Sequence, residues 1–166
     1  HVEAGLRSFD RKMPEEINRI VTDALADLLL TPSRDGNDNL IREGVSPEKI
    51  KLVGNIMIDS LEMLRDKIER RNAYISLGLR AGNYGIVTMH RPSNVDDLDV
   101  LENICKVLKD IAACVPLVFP VHPRTRQIME KHHLLPMIGS CKELKLLEPL
   151  SYISFMSLVF NSRFVI

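Results

Sequence analysis

Ionisable side chains recur in this sequence at the points where buried strands are expected to end. They are Glu3, His90, Arg91, His122, Arg124 and Glu148. In an open sheet of parallel strands, ligands bind beyond the carboxyl ends of the strands, so we expect these side chains to gather on one rim. Imidazoles that titrate near neutral pH, together with guanidinium groups and carboxylates, suit an anionic ligand and proton transfer.

Each of these residues also has a purely structural interpretation, and the residues alone leave both open. A histidine after a strand is often a hydrogen-bonding residue of the fold. Glu15 and Glu16 open a predicted helix, where carboxylates interact favourably with the helix dipole whatever their function. His132 and His133 have no third ligand at helical spacing, so solvated surface is favoured over a metal site.

No cofactor is indicated by the sequence. The glycines at 78, 82 and 85 do not form a GxGxxG loop between a strand and a helix, so a dinucleotide site is unsupported. The cysteines, Cys105, Cys114 and Cys141, form no CxxC pair, and the simplest interpretation is buried free thiols in a reducing cytosol.

The composition is that of an ordinary globular protein. Of 166 residues, 45% are apolar and 27% charged, and the 22 basic side chains balance the 22 acidic ones. No net field attracts nucleic acid or anionic lipid, and no apolar run approaches the roughly 20 residues that span a bilayer. We therefore predict a cytoplasmic protein that binds neither nucleic acid nor membrane.

Hydrophobic periodicity predicts strands alternating with helices, which implies an α/β fold with parallel sheets and helices on both faces. Helices are predicted at about 14–28, 37–43, 58–71, 97–113, 124–131 and 152–159, and strands at 51–53, 86–89, 117–121, 144–147 and from 163. A boundary is expected near 53–55. Both ends of the sequence look cut through secondary structure, so an internal piece of a longer protein is expected.

The order of several short segments is specific. They are His1-Val2-Glu3-Ala4-Gly5-Leu6-Arg7, Met13-Pro14-Glu15-Glu16-Ile17-Asn18-Arg19, Val53-Gly54-Asn55 with Asp59, Thr88-Met89-His90-Arg91-Pro92-Ser93-Asn94, His122-Pro123-Arg124-Thr125-Arg126 and Glu148-Pro149-Leu150 with Tyr152. Together they resemble the non-hydrolysing UDP-N-acetylglucosamine 2-epimerases over essentially the whole chain.

The resemblance implies a GT-B fold of two Rossmann-like domains, here truncated at both ends. Residues 1–53 would be the later part of the first domain, and residues 54–166 the earlier part of the second, nucleotide-binding domain. The family interconverts UDP-N-acetylglucosamine and UDP-N-acetylmannosamine by eliminating and re-adding UDP, without a cofactor or an obligatory metal, usually as a homodimer. Such sugars feed cell-surface polysaccharides.

The resemblance also assigns roles to residues. Glu3 and Glu15 match the acid/base carboxylates, and His90 matches the histidine near the diphosphate. Arg91, His122 and Glu16 match positions that contact a second, regulatory UDP-N-acetylglucosamine in some bacterial members. Further candidate substrate-binding or regulatory residues are Arg7, Asn18, Arg19, Asn55, Arg124 and Glu148.

Other functions remain open at this point. The segments missing from the resemblance include an aspartate and a glycine-rich phosphate-binding segment, so the chain alone is expected to have little activity. A hydrolysing 2-epimerase, a GT-B glycosyltransferase and a non-catalytic nucleotide-sugar-binding fragment are the alternatives. Paired carboxylate segments argue against the transferase.

Overall fold

The computed structural model describes residues 1–89 and 91–166, and the chain divides into two compact units, His1–Leu64 and Arg65–Ile166. The elements of the first unit are α1 (Pro14–Leu25), β1 (Leu29–Thr31), α2 (Arg34–Arg42), β2 (Ile50–Leu52) and the start of α3 (Ile56–Arg71). Those of the second are the end of α3, β3 (Gly85–Ile86), α4 (Pro92–Val95), α5 (Leu98–Ala112), β4 (Leu117–Pro120), α6 (Pro123–Lys131), α7 (Leu134–Gly139), β5 (Leu144–Leu147), α8 (Tyr152–Phe160) and β6 (Phe164–Val165).

The first unit is built on a small parallel sheet. β1 pairs with β2 in the register Leu29 to Ile50, and Val2 bridges to Leu30 on the other side of β1. α1 ends three residues earlier than predicted because the chain must turn to place Leu29, which is fully buried, in the sheet. α2 begins three residues earlier than predicted, where the Ser33 hydroxyl accepts the Gly36 N–H and caps the helix.

The second unit contains a parallel sheet with strand order β5-β4-β3-β6. Its main core lies between this sheet and the helices α5, α6 and α7, and includes Leu101, Leu108, Phe119 and Met129. A second cluster around Tyr84, Ile86 and Val118 packs against α8. Parallel pairing throughout the named strands confirms the predicted α/β class.

Two short helices, α4 and α7, were not predicted. α7 contains a proline at its third position, and six residues are too few for helical periodicity to stand out. Leu134 and Ile138 on α7 nevertheless enter the main core. His132 and His133 lie between α6 and α7; His132 is half-buried and His133 exposed.

The cysteine prediction is only partly correct. Cys105 is buried, and burial raises the pKa of its thiol to about 11. Cys141 is half-buried and Cys114 is exposed. Within 1–89 and 91–166, no helix is long and apolar enough to cross a bilayer.

Tyr84 ties the sheet of the second unit to α8. Its buried hydroxyl donates to the Leu158 carbonyl at 2.6 Å, and burial raises the pKa of the phenol to about 12. Tyr84→Phe leaves that buried carbonyl without this donor, so we expect a loss of about 1–3 kcal/mol in the free energy of unfolding. Urea unfolding followed by circular dichroism measures it. Tyr152→Phe, whose side chain is 41% exposed, is the control; equal losses in the two variants would contradict the assignment.

Candidate functional site

The segment that carries Glu3 is a tight, unusual turn. Glu3 has φ of 63° and Gly5 has φ of 77°, both in the left-handed region, and Ala4 between them is fully buried. The Ala4 N–H donates to the Leu30 carbonyl at 3.0 Å, and the Asn39 side-chain amide donates to the Gly5 carbonyl at 2.9 Å. β1 and α2 therefore hold the turn from two sides, while Glu3 itself stays half-exposed.

Asp23 on α1 is a buried carboxylate that the sequence analysis missed. One oxygen accepts from His1 Nδ1 at 2.5 Å; the other accepts from the Gly5 N–H at 3.1 Å and lies 2.8 Å from the Arg7 guanidinium. An ionised carboxylate only accepts hydrogen bonds, so all three neighbours act as donors. No sequence signal identifies it, because by helical spacing Asp23 lies on the polar side of α1, opposite the apolar residues Ile17, Val21 and Leu25.

Arg7 lies within an internal ion-pair cluster. Its guanidinium contacts Asp23 and makes two hydrogen bonds to Glu43, at 2.8 and 2.7 Å. Glu43, with the Asp23 charge in addition, raises the pKa of Arg7 above its usual value. The side chain is 1% exposed, so its donors face carboxylates of the same unit. We name Asp23, Arg7 and Glu43 the clamp.

The two adjacent carboxylates at the start of α1 have opposite surroundings. Glu15 is exposed, whereas Glu16 is buried and accepts the N–H groups of Ser8 and Phe9 at 2.9 and 3.0 Å. The Ser8 N–H makes the largest contribution to the lowered pKa of Glu16. Glu15 is thus free to face a ligand, while Glu16 holds the residues that follow the Glu3 turn.

The remaining candidates of the first unit lie on α1 and just before α3. Arg19 is half-buried, with a guanidinium nitrogen 3.5 Å from Glu16, and Asn18 is exposed on α1. The Asn55 side chain accepts the Met57 N–H at 2.9 Å and so caps α3. A helix N-terminus with an amide cap can bind an anion, but in the structure the cap serves α3 itself.

In the second unit, the candidates lie at the carboxyl ends of neighbouring strands. The Val121 N–H donates to the Leu147 carbonyl at 3.0 Å, which places the segment after β4 beside the segment after β5. The imidazole of His122 caps α6 by accepting the Arg124 N–H at 3.3 Å. The buried Thr125 hydroxyl donates to the Met89 carbonyl, which fixes α6 against the end of β3.

Cations and carboxylates alternate along this edge. Arg124 donates to both oxygens of Asp96 at 2.7 Å, in a pair that is about half-exposed and therefore weak. Arg126 contacts Glu148 at 2.9 Å, and its Nε is buried with no hydrogen-bond partner among residues 1–89 and 91–166. Arg126 was not among the predicted residues; Arg91 was, and is exposed.

A small cavity opens at the same edge. It has a volume of about 200 Å³ and is lined by Thr88, Met89, Pro120, Val121, His122, Pro149 and Leu150. The segments that follow β3, β4 and β5 therefore contribute to one concave surface, and of the predicted site residues His122 lines it.

His90 lies outside the described residues. Within the described part of the chain, no group of three histidine, cysteine, aspartate or glutamate side chains is placed to hold a metal ion.

The order of these segments is matched by a known family. The family model described as UDP-N-acetylglucosamine 2-epimerase matches residues 1–166, the entire chain. The chain belongs to the UDP-N-acetylglucosamine 2-epimerase family. The resemblance to this family is thereby confirmed.

Relatives of the 2-epimerase family span the chain from end to end. The UDP-N-acetylglucosamine 2-epimerase of Methanocaldococcus jannaschii is 37% identical over 171 residues, covering 100% of this chain and 47% of the relative. A UDP-2,3-diacetamido-2,3-dideoxy-D-glucuronate 2-epimerase of Pseudomonas aeruginosa is 38% identical, covering 100% and 45%. The chain thus spans about half the length of these relatives.

Solved 2-epimerase structures confirm the fold. The Methanocaldococcus jannaschii enzyme in complex with UDP-GlcNAc and UDP superposes with a TM-score of 0.84 at 36% identity, over 99% of this chain and 46% of that one. The Rickettsia bellii enzyme gives a TM-score of 0.83 at 28% identity, over 99% and 43%. The predicted GT-B fold class is thereby confirmed, with the chain corresponding to about half of each solved enzyme.

Proposed function

We propose that the complete protein interconverts UDP-N-acetylglucosamine and UDP-N-acetylmannosamine. The observation that carries the proposal is the family match over the entire chain, together with 36% identity to a solved relative that holds UDP-GlcNAc and UDP. Because this chain spans about half of that relative, the activity belongs to the complete polypeptide rather than to these residues alone.

The first unit would supply the acid/base groups. Glu3 is half-exposed on a turn held by β1, α2 and α1, and Glu15 is exposed at the first turn of α1. A carboxylate near the sugar removes the C2 proton, and a carboxylic acid returns a proton to the other face. The bond between C1 and the UDP oxygen breaks as the C2 proton is lost, which leaves a double bond between C1 and C2. Re-addition of UDP to C1, with protonation of C2 from the opposite face, gives the epimer.

The second unit would bind the nucleotide. His122 lines the cavity beyond β3, β4 and β5, and Arg124 and Glu148 follow β4 and β5 in the sequence. Arg91 is exposed, and His90 precedes it in the sequence. Cationic donors aimed at the diphosphate stabilise the negative charge that develops as UDP leaves. Asn18 and Arg19 on α1, and Asn55 just before α3, would contribute further contacts from the first part of the chain.

The domain division and the assembly are part of the same proposal. We assign residues 1–53 to the first Rossmann-like domain and 54–166 to the second, in a cytoplasmic homodimer that uses no cofactor and serves cell-surface polysaccharide synthesis. A second UDP-N-acetylglucosamine would contact Arg91, His122 and Glu16. For Glu16, such a contact must compete with the two backbone N–H groups that its oxygens already accept.

The sugar itself has a second candidate. A relative named for a diacetamido-glucuronate sugar is 38% identical to the chain, and one named for UDP-N-acetylglucosamine is 37% identical. Identity therefore does not separate the two sugars. Both reactions invert C2, the carbon that bears an acetamido group in either sugar, so the same carboxylates could serve either reaction.

Product analysis tests the proposal. The protein expressed from its complete coding sequence is incubated with each UDP-sugar, and the products are separated by chromatography. We expect the C2 epimer of the UDP-sugar from one of the two substrates. Free N-acetylmannosamine with UDP would instead identify a hydrolysing enzyme, and transfer to an added acceptor would identify a glycosyltransferase. UDP binding without turnover would identify a non-catalytic nucleotide-sugar-binding protein.

A further inference from the structure

The Glu3 turn is held from α1 by a carboxylate that has no assigned role. Asp23 contacts His1, two residues before Glu3, and Gly5 and Arg7, two and four residues after it. Among the described contacts of α1, Glu16 holds positions 8 and 9, whereas Asp23 holds the segment on both sides of Glu3. The backbone contacts of the turn run instead to β1 and α2.

Stability alone is a poor explanation for this arrangement. Asp23 has a side chain 2% exposed, and burying a charge has a desolvation cost that its partners offset only in part. An apolar pair of similar volume is often as stable as a buried ion pair. A buried, directional carboxylate does, however, fix where its donors lie, and its donors here flank a residue in the left-handed region.

We propose that Asp23 is a positioning residue: it fixes the turn that carries Glu3 against α1, the helix whose first turn carries Glu15. This inference rests on the proposed function, since it needs the two carboxylates to act on one sugar. Arg7 contributes to this positioning, because its guanidinium contacts both Asp23 and Glu43 at the end of α2. The clamp therefore joins α1, the segment after the Glu3 turn and the end of α2.

The test is Asp23→Asn in the protein from the complete coding sequence. Asparagine keeps the size of the side chain but places an NH2 group where donors already converge, so at least one of the three contacts is lost. Misplacement of a catalytic group by about 1 Å costs on the order of 10²-fold in rate, so we expect kcat to fall roughly 10- to 100-fold. KM should change by less than about 3-fold, because binding of the ground state does not depend on Glu3 placement.

The matched control is Asp27→Asn, the same substitution at an exposed aspartate just after α1. It should leave kcat unchanged. Hydrogen exchange of the Gly5 amide adds a measurement independent of turnover, and should be faster in Asp23→Asn only. If Asp23→Asn does not fold, Glu43→Gln removes one carboxylate at the half-exposed side of the clamp and should lower kcat by a smaller factor.

The outcomes separate the two proposals. If the unsubstituted protein turns over and folded Asp23→Asn matches its kcat, this inference is wrong and the proposed function stands. For Asp23→Asn, an effect confined to KM, or a lower melting temperature with unchanged kcat, also overturns the inference. If Asp23→Asn does not fold, an unchanged kcat in Glu43→Gln overturns it. If the unsubstituted protein neither epimerises nor exchanges C2, the proposed function itself fails.

Discussion

Glu3→Gln should abolish most of the epimerase activity of the complete protein while leaving it folded. General acid/base groups contribute roughly 10²–10⁴-fold to rate, and we expect a loss of kcat in that range. Glutamine preserves the size of the side chain and the half-exposed position on the turn, so the loss reports proton transfer. Initial rates with saturating UDP-sugar measure it.

Glu48→Gln is the control for this change, since Glu48 is an exposed glutamate in the same unit, on a short 3-10 turn. It should match the unsubstituted protein. If Glu3→Gln keeps more than about a tenth of kcat, well short of the loss a general acid or base causes, Glu3 is not an acid/base group. Glu15→Gln, compared in the same way, tests the partner carboxylate.

Gly5→Ala should strongly destabilise the first unit. Gly5 has φ of 77°, which costs an alanine about 1 kcal/mol or more, and an added Cβ would lie 2.2 Å from the Gly36 carbonyl oxygen and 2.7 Å from its carbon. Both are backbone atoms, so no flexible side chain can move aside. Adding the cost of overpacking, about 1–3 kcal/mol, we expect a total near 3 kcal/mol.

Gly44→Ala separates the two contributions. Gly44 has φ of 86°, and no atom of the described residues lies within 4 Å of its added Cβ, so this variant bears only the backbone cost. Urea dependence of hydrogen exchange in peptides from the first unit compares the variants. Equal destabilisation by both substitutions would show that the turn does not pack against Gly36 as described.

The α/β class was predictable because hydrophobic period is a local property. Core residues such as Leu101, Leu108 and Phe119 recur at helical or strand spacing, and the long elements were placed within a few residues. α7 escaped because six residues around a proline carry too little periodic signal. The residues that follow strands could be located because the hydrophobic period also marks where each strand ends.

The clamp was not predictable in the same way. Asp23, Arg7 and Glu43 are separated by up to 36 residues in sequence, and no local pattern indicates that they meet. Nor could the sequence separate Glu15 from Glu16: helical geometry turns one outward and the other under the Ser8 and Phe9 N–H groups. The resemblance assigned their roles, whereas the fold shows which of them is free.

Proton NMR of the complete protein with UDP-N-acetylglucosamine in deuterated water tests the central claim most directly. Removal of the C2 proton predicts UDP-N-acetylmannosamine carrying deuterium at C2, and deuterium entering the C2 position of the starting sugar as the reaction approaches equilibrium. A folded protein that binds UDP but gives neither the epimer nor exchange at C2 would contradict the account, and the carboxylates of the first unit would then need another explanation.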